Sequence, residues 1–277
     1  MPELPEVETV CRGLAGVLEG HRFADVVVRR PDLRIPFPER FAGRLKGRRV
    51  QKIHRRAKYI LMDLDDGNVL IVHLGMAGRM LILKKTAPPG PHDHVLFTTD
   101  DGAEIRYNDP RRFGLMDLAP ANGLDSHRLF GHLGVDPLGE SFTPAFLHAA
   151  LKGRTTTIKT ALLDQRIVVG VGNIYASESL HRARISPRRK AGTVSKAKIA
   201  ALVSAVKDVL AEAIAAGGSS LRDHVQPSGE LGYFQHSWRV YGRAGEICSC
   251  AAGKSDAKIR RIVQGGRSTF YCARCQT

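Results

Sequence analysis

Between Arg22 and Leu118 the apolar positions fall into short runs that are β-branched or alternate with polar residues: Val26–Val28, Val50–His54, Tyr59–Leu64, Val69–His73, Met80–Leu83 and Val95–Thr99. Alternation sends successive side chains to opposite faces, so these runs predict strands rather than helices. Asp65-Asp66-Gly67-Asn68 and Asp100-Asp101-Gly102 separate them with the Asp and Gly residues that tight hairpin turns favour. So many strands at short spacing predict a two-sheet β-sandwich. Before them the period changes. Val7, Val10, Cys11, Leu14 and Leu18 recur at helical spacing, which predicts a leading helix from near Pro5 to Gly20.

The segment from Ala119 to Asp136 carries Pro, Gly and Asn residues and reads as a domain boundary. Beyond it the pattern is helical, with short helices predicted at Pro144–Leu151, Thr157–Asp164 and Asn173–Ala183. A longer one is predicted over Lys196–Ala216, with Ile199, Leu202, Val203, Val206, Val209, Leu210 and Ile214 on one face and Gly217-Gly218 at its end. The polar stretch from Ser219 to Gly232 is expected to be a loop, and the tail from Arg239 a small cysteine-bearing β module. The fold class is therefore α+β and multidomain. The expected division is 1–130, 131–235 and 236–277.

Charge narrows the partner. Forty-two Lys and Arg against 27 Asp and Glu give a net charge of +15 on 277 residues, the balance of a chain that meets nucleic acid or another anionic surface. The sequence has no apolar run long enough for a membrane span, and its acidic start is not a signal peptide. Four of the five cysteines lie in the last 30 residues, as Cys248-x-Cys250 and Cys272-x-x-Cys275. That clustering suggests four thiolates around a structural Zn2+ in a reducing compartment better than a disulfide scaffold, with Cys11 outside the site. The first pair is one residue short of the usual spacing, so another ligand or a metal-free hairpin stays open.

The first residues carry the most distinctive chemistry. Removal of Met1 before the small Pro2 leaves a secondary amine, which can attack a sugar C1′ and form an iminium directly. Glu3 stands next to it as a proton-moving carboxyl. Read alone, Pro2 and Pro5 are equally ordinary starters of a helix with acids in its first turn. Lys58, read alone, is an ordinary surface lysine, and Met76 and Phe113 are ordinary core residues.

Met-Pro-Glu-Leu-Pro-Glu-Val-Glu-Thr at the start of the chain resembles the opening of the formamidopyrimidine-DNA glycosylase family. Further stretches, in order, are similar to that family: Arg55–Tyr59, His73–Arg79, Asn108–Gly114, Gln165–Ala176, Gly217–Gln235 and the cysteine tail. The resemblance implies an N-terminal β-sandwich with its leading helix, a helix-two-turn-helix domain and a zinc-finger hairpin. It implies a base-excision repair enzyme that removes oxidised purines from duplex DNA through a Pro2 Schiff base and nicks the abasic site by β- and δ-elimination.

Residue by residue, the resemblance makes Pro2 the nucleophile and Glu3 its proton-transfer partner. Lys58 assists cleavage, and Arg267 binds the phosphates flanking the lesion. Met76, Arg111 and Phe113 fill the void left by an everted base, while His73, His92, Arg154 and Asn173 touch DNA. Cys248, Cys250, Cys272 and Cys275 hold the zinc, and residues 217–235 form the loop over the everted base. The expected partner is double-stranded DNA containing oxidised bases or abasic sites, met by a monomer in a bacterial-type cytoplasm. An endonuclease VIII-like preference for oxidised pyrimidines and a non-catalytic damage binder are the alternatives.

Overall fold

In the computed structural model, residues 2–83, 87–219, 227, 232–251 and 257–277 are described, and most of the expected 217–235 loop lies outside them. They form two compact units, Met1–Gly131 with Ile214–Gln235 and His132–Ala213 with His236–Thr277.

The first unit begins with α1 (Leu4–Leu18). Pro5 opens it, and its apolar stripe of Leu4, Val7, Val10, Cys11, Leu14 and Leu18 is buried. Eight strands follow: β1 (Phe23–Val28), β2 (Val50–Arg56), β3 (Tyr59–Leu64), β4 (Asn68–His73), β5 (Arg79–Leu83), β6 (Asp93–Thr99), β7 (Glu104–Asn108) and β8 (Leu115–Pro120). A short helix, α2 (Phe41–Leu45), lies between β1 and β2. The strands pair antiparallel into two four-stranded sheets, β1-β6-β7-β5 and β2-β3-β4-β8.

One apolar cluster joins both sheets to α1. Phe23, Val26, Val95, Phe97, Ile105 and Tyr107 come from the first sheet, and Val50, Ile60, Met62, Leu70, Val72 and Met116 from the second. This is the expected sandwich with its leading helix. Each large side chain fully buried there contributes roughly 1.5–3 kcal/mol. The six runs picked out in the sequence are all strands. The pattern does not mark β7 and β8; β7 buries a charge, Arg106, which is 5% exposed and bonds Asp93 and Glu104 at 3.1 and 2.5 Å.

The second unit holds α3 (Pro144–Leu151), α4 (Ile158–Leu162), α5 (Asn173–Arg182) and most of α6 (Lys196–Ala215), then the hairpin β9 (Ile259–Gln264) and β10 (Arg267–Cys272). Thr143 and Thr157 cap α3 and α4 by accepting from the amides of Phe146 and Thr160. Glu178, buried on α5, accepts from the backbone N–H groups of Arg239, Val240 and Tyr241 at 2.8–3.0 Å and so fixes the start of the tail. The β9–β10 turn is Gly265-Gly266, both at positive φ, which suits a two-residue hairpin.

Candidate catalytic and nucleic-acid-binding sites

Pro2 and Glu3 are buried at the head of α1. The first turn is locked by Glu6, whose Oε2 accepts from the Glu3 amide at 2.8 Å and whose Oε1 accepts from the Ser219 amide at 2.8 Å. A single buried carboxylate therefore ties the start of the chain to the first residues of the 217–235 segment. The dipole of α1 disfavours a positive charge on a neighbouring amine, whereas Glu3, Glu6 and Glu8 favour one.

Lys58 occupies the turn between β2 and β3, where Arg56 pairs with Tyr59 and Ala57 takes a left-handed conformation (φ 56°). Arg55 clamps this turn by donating to the Ala57 carbonyl at 3.1 Å, while its Nε donates to Glu8 on α1 at 3.1 Å. Lys58 is 8% exposed, so its ammonium is largely out of water. Its charge is felt by His73, at the end of β4, whose pKa falls to about 4 because of burial first, then Lys58 and Arg34. His73 is thus neutral at ordinary pH, and its Nδ1 accepts from the Gly75 amide at 3.0 Å.

The two expected void-filling turns lie against each other. A side chain at Gly75 would collide with the backbone of Phe113 and Gly114, and one at Gly114 with the Tyr107 hydroxyl and the His73 carbonyl. Only glycine at both places allows this approach. Met76 and Phe113 are then 39% and 46% exposed, unusual for such apolar groups, and the Arg111 guanidinium sits 4.9 Å above the Phe113 ring. The fully buried Asp109 shapes the second turn, accepting from the amides of Gly114 (2.9 Å) and Arg111 (3.2 Å) and from the Tyr107 hydroxyl (3.4 Å). His92 is exposed, and its carbonyl accepts from the Asp109 amide at 3.0 Å.

In the second unit Gly172 is the N-cap of α5. Asn173 is the first helical residue, and its side chain faces the hairpin, donating to the Ser268 carbonyl at 2.9 Å and the Tyr241 hydroxyl at 3.2 Å. Its Oδ1 accepts from Lys159 Nζ at 2.6 Å. Lys159, 1% exposed, also donates to Thr269 Oγ1 at 2.7 Å and the Ser268 carbonyl at 3.1 Å. This buried cation joins α4, α5 and β10, and the sequence offered only a lysine amid the apolar Ile158, Ala161 and Leu162. Arg267, next to Ser268, is exposed and lines a cleft of about 450 Å3 with Arg154, Arg166 and Gln264. Arg154 and Arg267 thus share one basic hollow.

Cys248, Cys250, Cys272 and Cys275 have their sulfurs within 4.8 Å of one another, and Cys250 Sγ lies 3.7 Å from Cys272 Sγ. Four sulfurs at about 2.3 Å from a tetrahedral Zn2+ stand about 3.8 Å apart, so the donor set and its size fit zinc despite the shortened first pair. The zinc finger is structural, holding the tail around the hairpin rather than doing chemistry. Cys11, on α1, belongs to no such cluster among the described residues; burial, then the Glu8 charge, pushes its thiol up to about 12.

Comparison with known proteins agrees in every part of the chain. Residues 1–116 match the formamidopyrimidine-DNA glycosylase N-terminal domain, 133–225 the H2TH domain of the same enzymes, and 257–277 the zinc finger found in FPG and IleRS. The formamidopyrimidine-DNA glycosylases of Ruegeria pomeroyi and Acidiphilium cryptum are each 56% identical, with both chains covered completely. Among solved structures, a Lactococcus lactis Fpg mutant in complex with a Fapy-dG containing DNA is similar at a TM-score of 0.91 and 33% identity, with both chains fully covered. MutM (Fpg) from Thermus thermophilus is similar at 0.87 and 37%, covering 99% of this chain and 98% of its own. The conclusion is direct: the chain belongs to the formamidopyrimidine-DNA glycosylase family.

Proposed function

We propose that this protein is a bifunctional DNA glycosylase and AP lyase that excises oxidised purines, such as 8-oxoguanine and formamidopyrimidines, from duplex DNA. The observation that carries the reading is the buried Pro2-Glu3 start, braced through Glu6 and followed by a chain that matches the family throughout. Once Met1 is removed, the Pro2 nitrogen attacks C1′, the C1′–N bond to the base breaks, and the base leaves with a proton. The sugar ring opens to a protonated imine, with Glu3 exchanging protons at the ring oxygen. Loss of the C2′ proton expels the 3′ phosphate, and a second elimination expels the 5′ phosphate. Hydrolysis of the imine returns the free amine.

The other groups fit this sequence. Lys58, a buried cation, stabilises the anionic sugar-phosphate during cleavage. Met76, Arg111 and Phe113, exposed together on facing turns, occupy the gap left by the everted base, where apolar groups stack and an arginine bonds the widowed partner base. His73, His92, Arg154, Asn173 and Arg267 meet the DNA backbone, Asn173 through its main-chain N–H at the start of α5. His73 does so as a neutral donor through Nε2, while Arg267 and Arg154 bring full charges from one hollow. The enzyme works as a cytoplasmic monomer on the nucleoid.

Borohydride trapping tests this. Purified protein shown by mass to begin at Pro2 is mixed with an 8-oxoguanine:C duplex and reduced. A covalent adduct on the lesion duplex, absent from an undamaged one and weakened in Pro2→Gly, is the expected result. Tight lesion binding without an adduct would instead favour a non-catalytic binder, and an adduct confined to an oxidised-pyrimidine duplex would shift the substrate class.

A further inference from the structure

His181 lies in the last turn of α5 and is 6% exposed; its Nε2 lies 3.2 Å from Cys248 Sγ. Its other ring nitrogen, Nδ1, is buried with no partner among the described residues. A zinc-bound thiolate has no proton to offer, so the imidazole must be the donor in this contact. In a neutral ring the single proton then belongs on Nε2. This leaves a bare lone pair buried at Nδ1, which is less costly than an orphaned N–H.

The two cysteine pairs differ in what supports their first sulfur. Cys272 Sγ accepts from the amides of Arg274 and Cys275, the second and third residues after it. Cys248 Sγ accepts from the amide of Cys250, the second residue after it. Cys248-x-Cys250 is the shortened pair, one residue shorter than Cys272-x-x-Cys275. The imidazole stands beside the sulfur of that shortened pair. Four thiolates around a divalent ion carry a net double negative charge, and each N–H···S bond withdraws part of it and fixes a sulfur in direction.

We propose that His181 is a positioning residue of the zinc site, its Nε2–H donating to the Cys248 thiolate. It is not a ligand, because the four sulfurs already complete a tetrahedral set. The same contact ties the metal to α5, whose first residue, Asn173, holds the Ser268 carbonyl of the hairpin. This proposal rests on the four-thiolate zinc reading, and one set of measurements separates the two.

The full-length protein is loaded with Zn2+ or Co2+, and the His181→Leu and His181→Gln variants are compared with it. Zinc affinity is read by competition with a chromophoric chelator, and ligand identity by the Co2+ absorption spectrum. His181→Leu is expected to keep a four-thiolate Co2+ spectrum, with its sulfur-to-metal bands shifted, and to lose zinc affinity about tenfold or more. His181→Gln, whose Nε2 can reach the same place, is expected to recover most of that loss. Unchanged affinity in His181→Leu, or a His181→Gln protein as weak as His181→Leu, would overturn the donor role. So would a wild-type nitrogen ligand that His181→Leu removes. Should His181→Leu not fold, His181→Gln decides alone: near wild-type affinity supports the donor, and a tenfold loss refutes it. A wild-type protein that takes up neither Zn2+ nor Co2+ through thiolates refutes the zinc reading itself.

Discussion

Asp109 is the group on which the Arg111–Phe113 turn depends, and Asp109→Ala tests it. The carboxylate is fully buried and receives the Gly114 amide at 2.9 Å, the Arg111 amide at 3.2 Å and the Tyr107 hydroxyl at 3.4 Å. Tyr107 keeps a second acceptor in the His73 carbonyl at 3.2 Å, and Arg111 is exposed enough for water to replace the lost contact. Gly114 is buried, and its amide loses its acceptor. A hydrogen bond to a charged group contributes about 1.5–3 kcal/mol, and a stranded buried donor costs about 1–3 kcal/mol. Relief from burying a carboxylate offsets part of this, so the net loss is about 3 kcal/mol. In a unit of this size that lowers the melting temperature by roughly 6–12 °C.

The same change frees Phe113 and Arg111 from a fixed turn. If re-forming it on DNA costs even about 1.4 kcal/mol, kcat/KM for lesion cleavage falls about tenfold. Asp109→Asn should lie between, because one oxygen can still accept from Gly114 while the new NH2 group opposes another donor. Thermal melts and single-lesion cleavage assays on the three proteins give the answer. An Asp109→Ala protein that melts within about 2 °C of wild type and cuts at the wild-type rate would refute the reasoning.

Other perturbations follow from the same structure. Glu6→Gln keeps one acceptor oxygen and turns its amide against either the Glu3 or the Ser219 N–H; borohydride trapping should drop well before global melting does. Lys159→Met removes three donated bonds and should raise KM for lesion duplex by about tenfold, roughly 1.4 kcal/mol; an unchanged KM would remove Lys159 from the DNA-binding framework. His73 titrates at about 4 folded and at about 6.5 unfolded, so its contribution to stability is complete above pH 6.5. Below that the unfolded chain gains the proton first, and up to about 3 kcal/mol is lost as pH falls toward 4. His73→Asn, which keeps an acceptor for Gly75, should flatten that slope in urea titrations. Arg267→Ala should lower the salt dependence of DNA affinity by about one unit of slope for any sequence, the signature of a phosphate contact.

What the sequence revealed and what it concealed divide along physical lines. Residues that act through a local pattern were legible: the stripe from Val7 to Leu18 became α1, the alternating runs became strands of the two sheets, and the Lys196 run became α6. The two turns proposed to fill the void are marked in the sequence by their glycines and by resemblance, but only the structure shows Gly75 packed against the Phe113–Gly114 peptide, a contact between segments far apart in the chain. The residues that brace the site left no periodic trace. Glu6, Lys159 and His181 are polar groups buried because a distant amide, carbonyl or sulfur needs them, and the partner's position cannot be read from the spacing around each one. Lys58 belongs to both classes: its motif was visible, yet its placement in a turn braced by Arg55 against Glu8 depends on α1 lying over β2. If that brace sets the lysine, Glu8→Gln should slow β-elimination on a preformed abasic duplex while leaving its binding unchanged. Equal losses in both would mean that Arg55 supports the fold and not the chemistry.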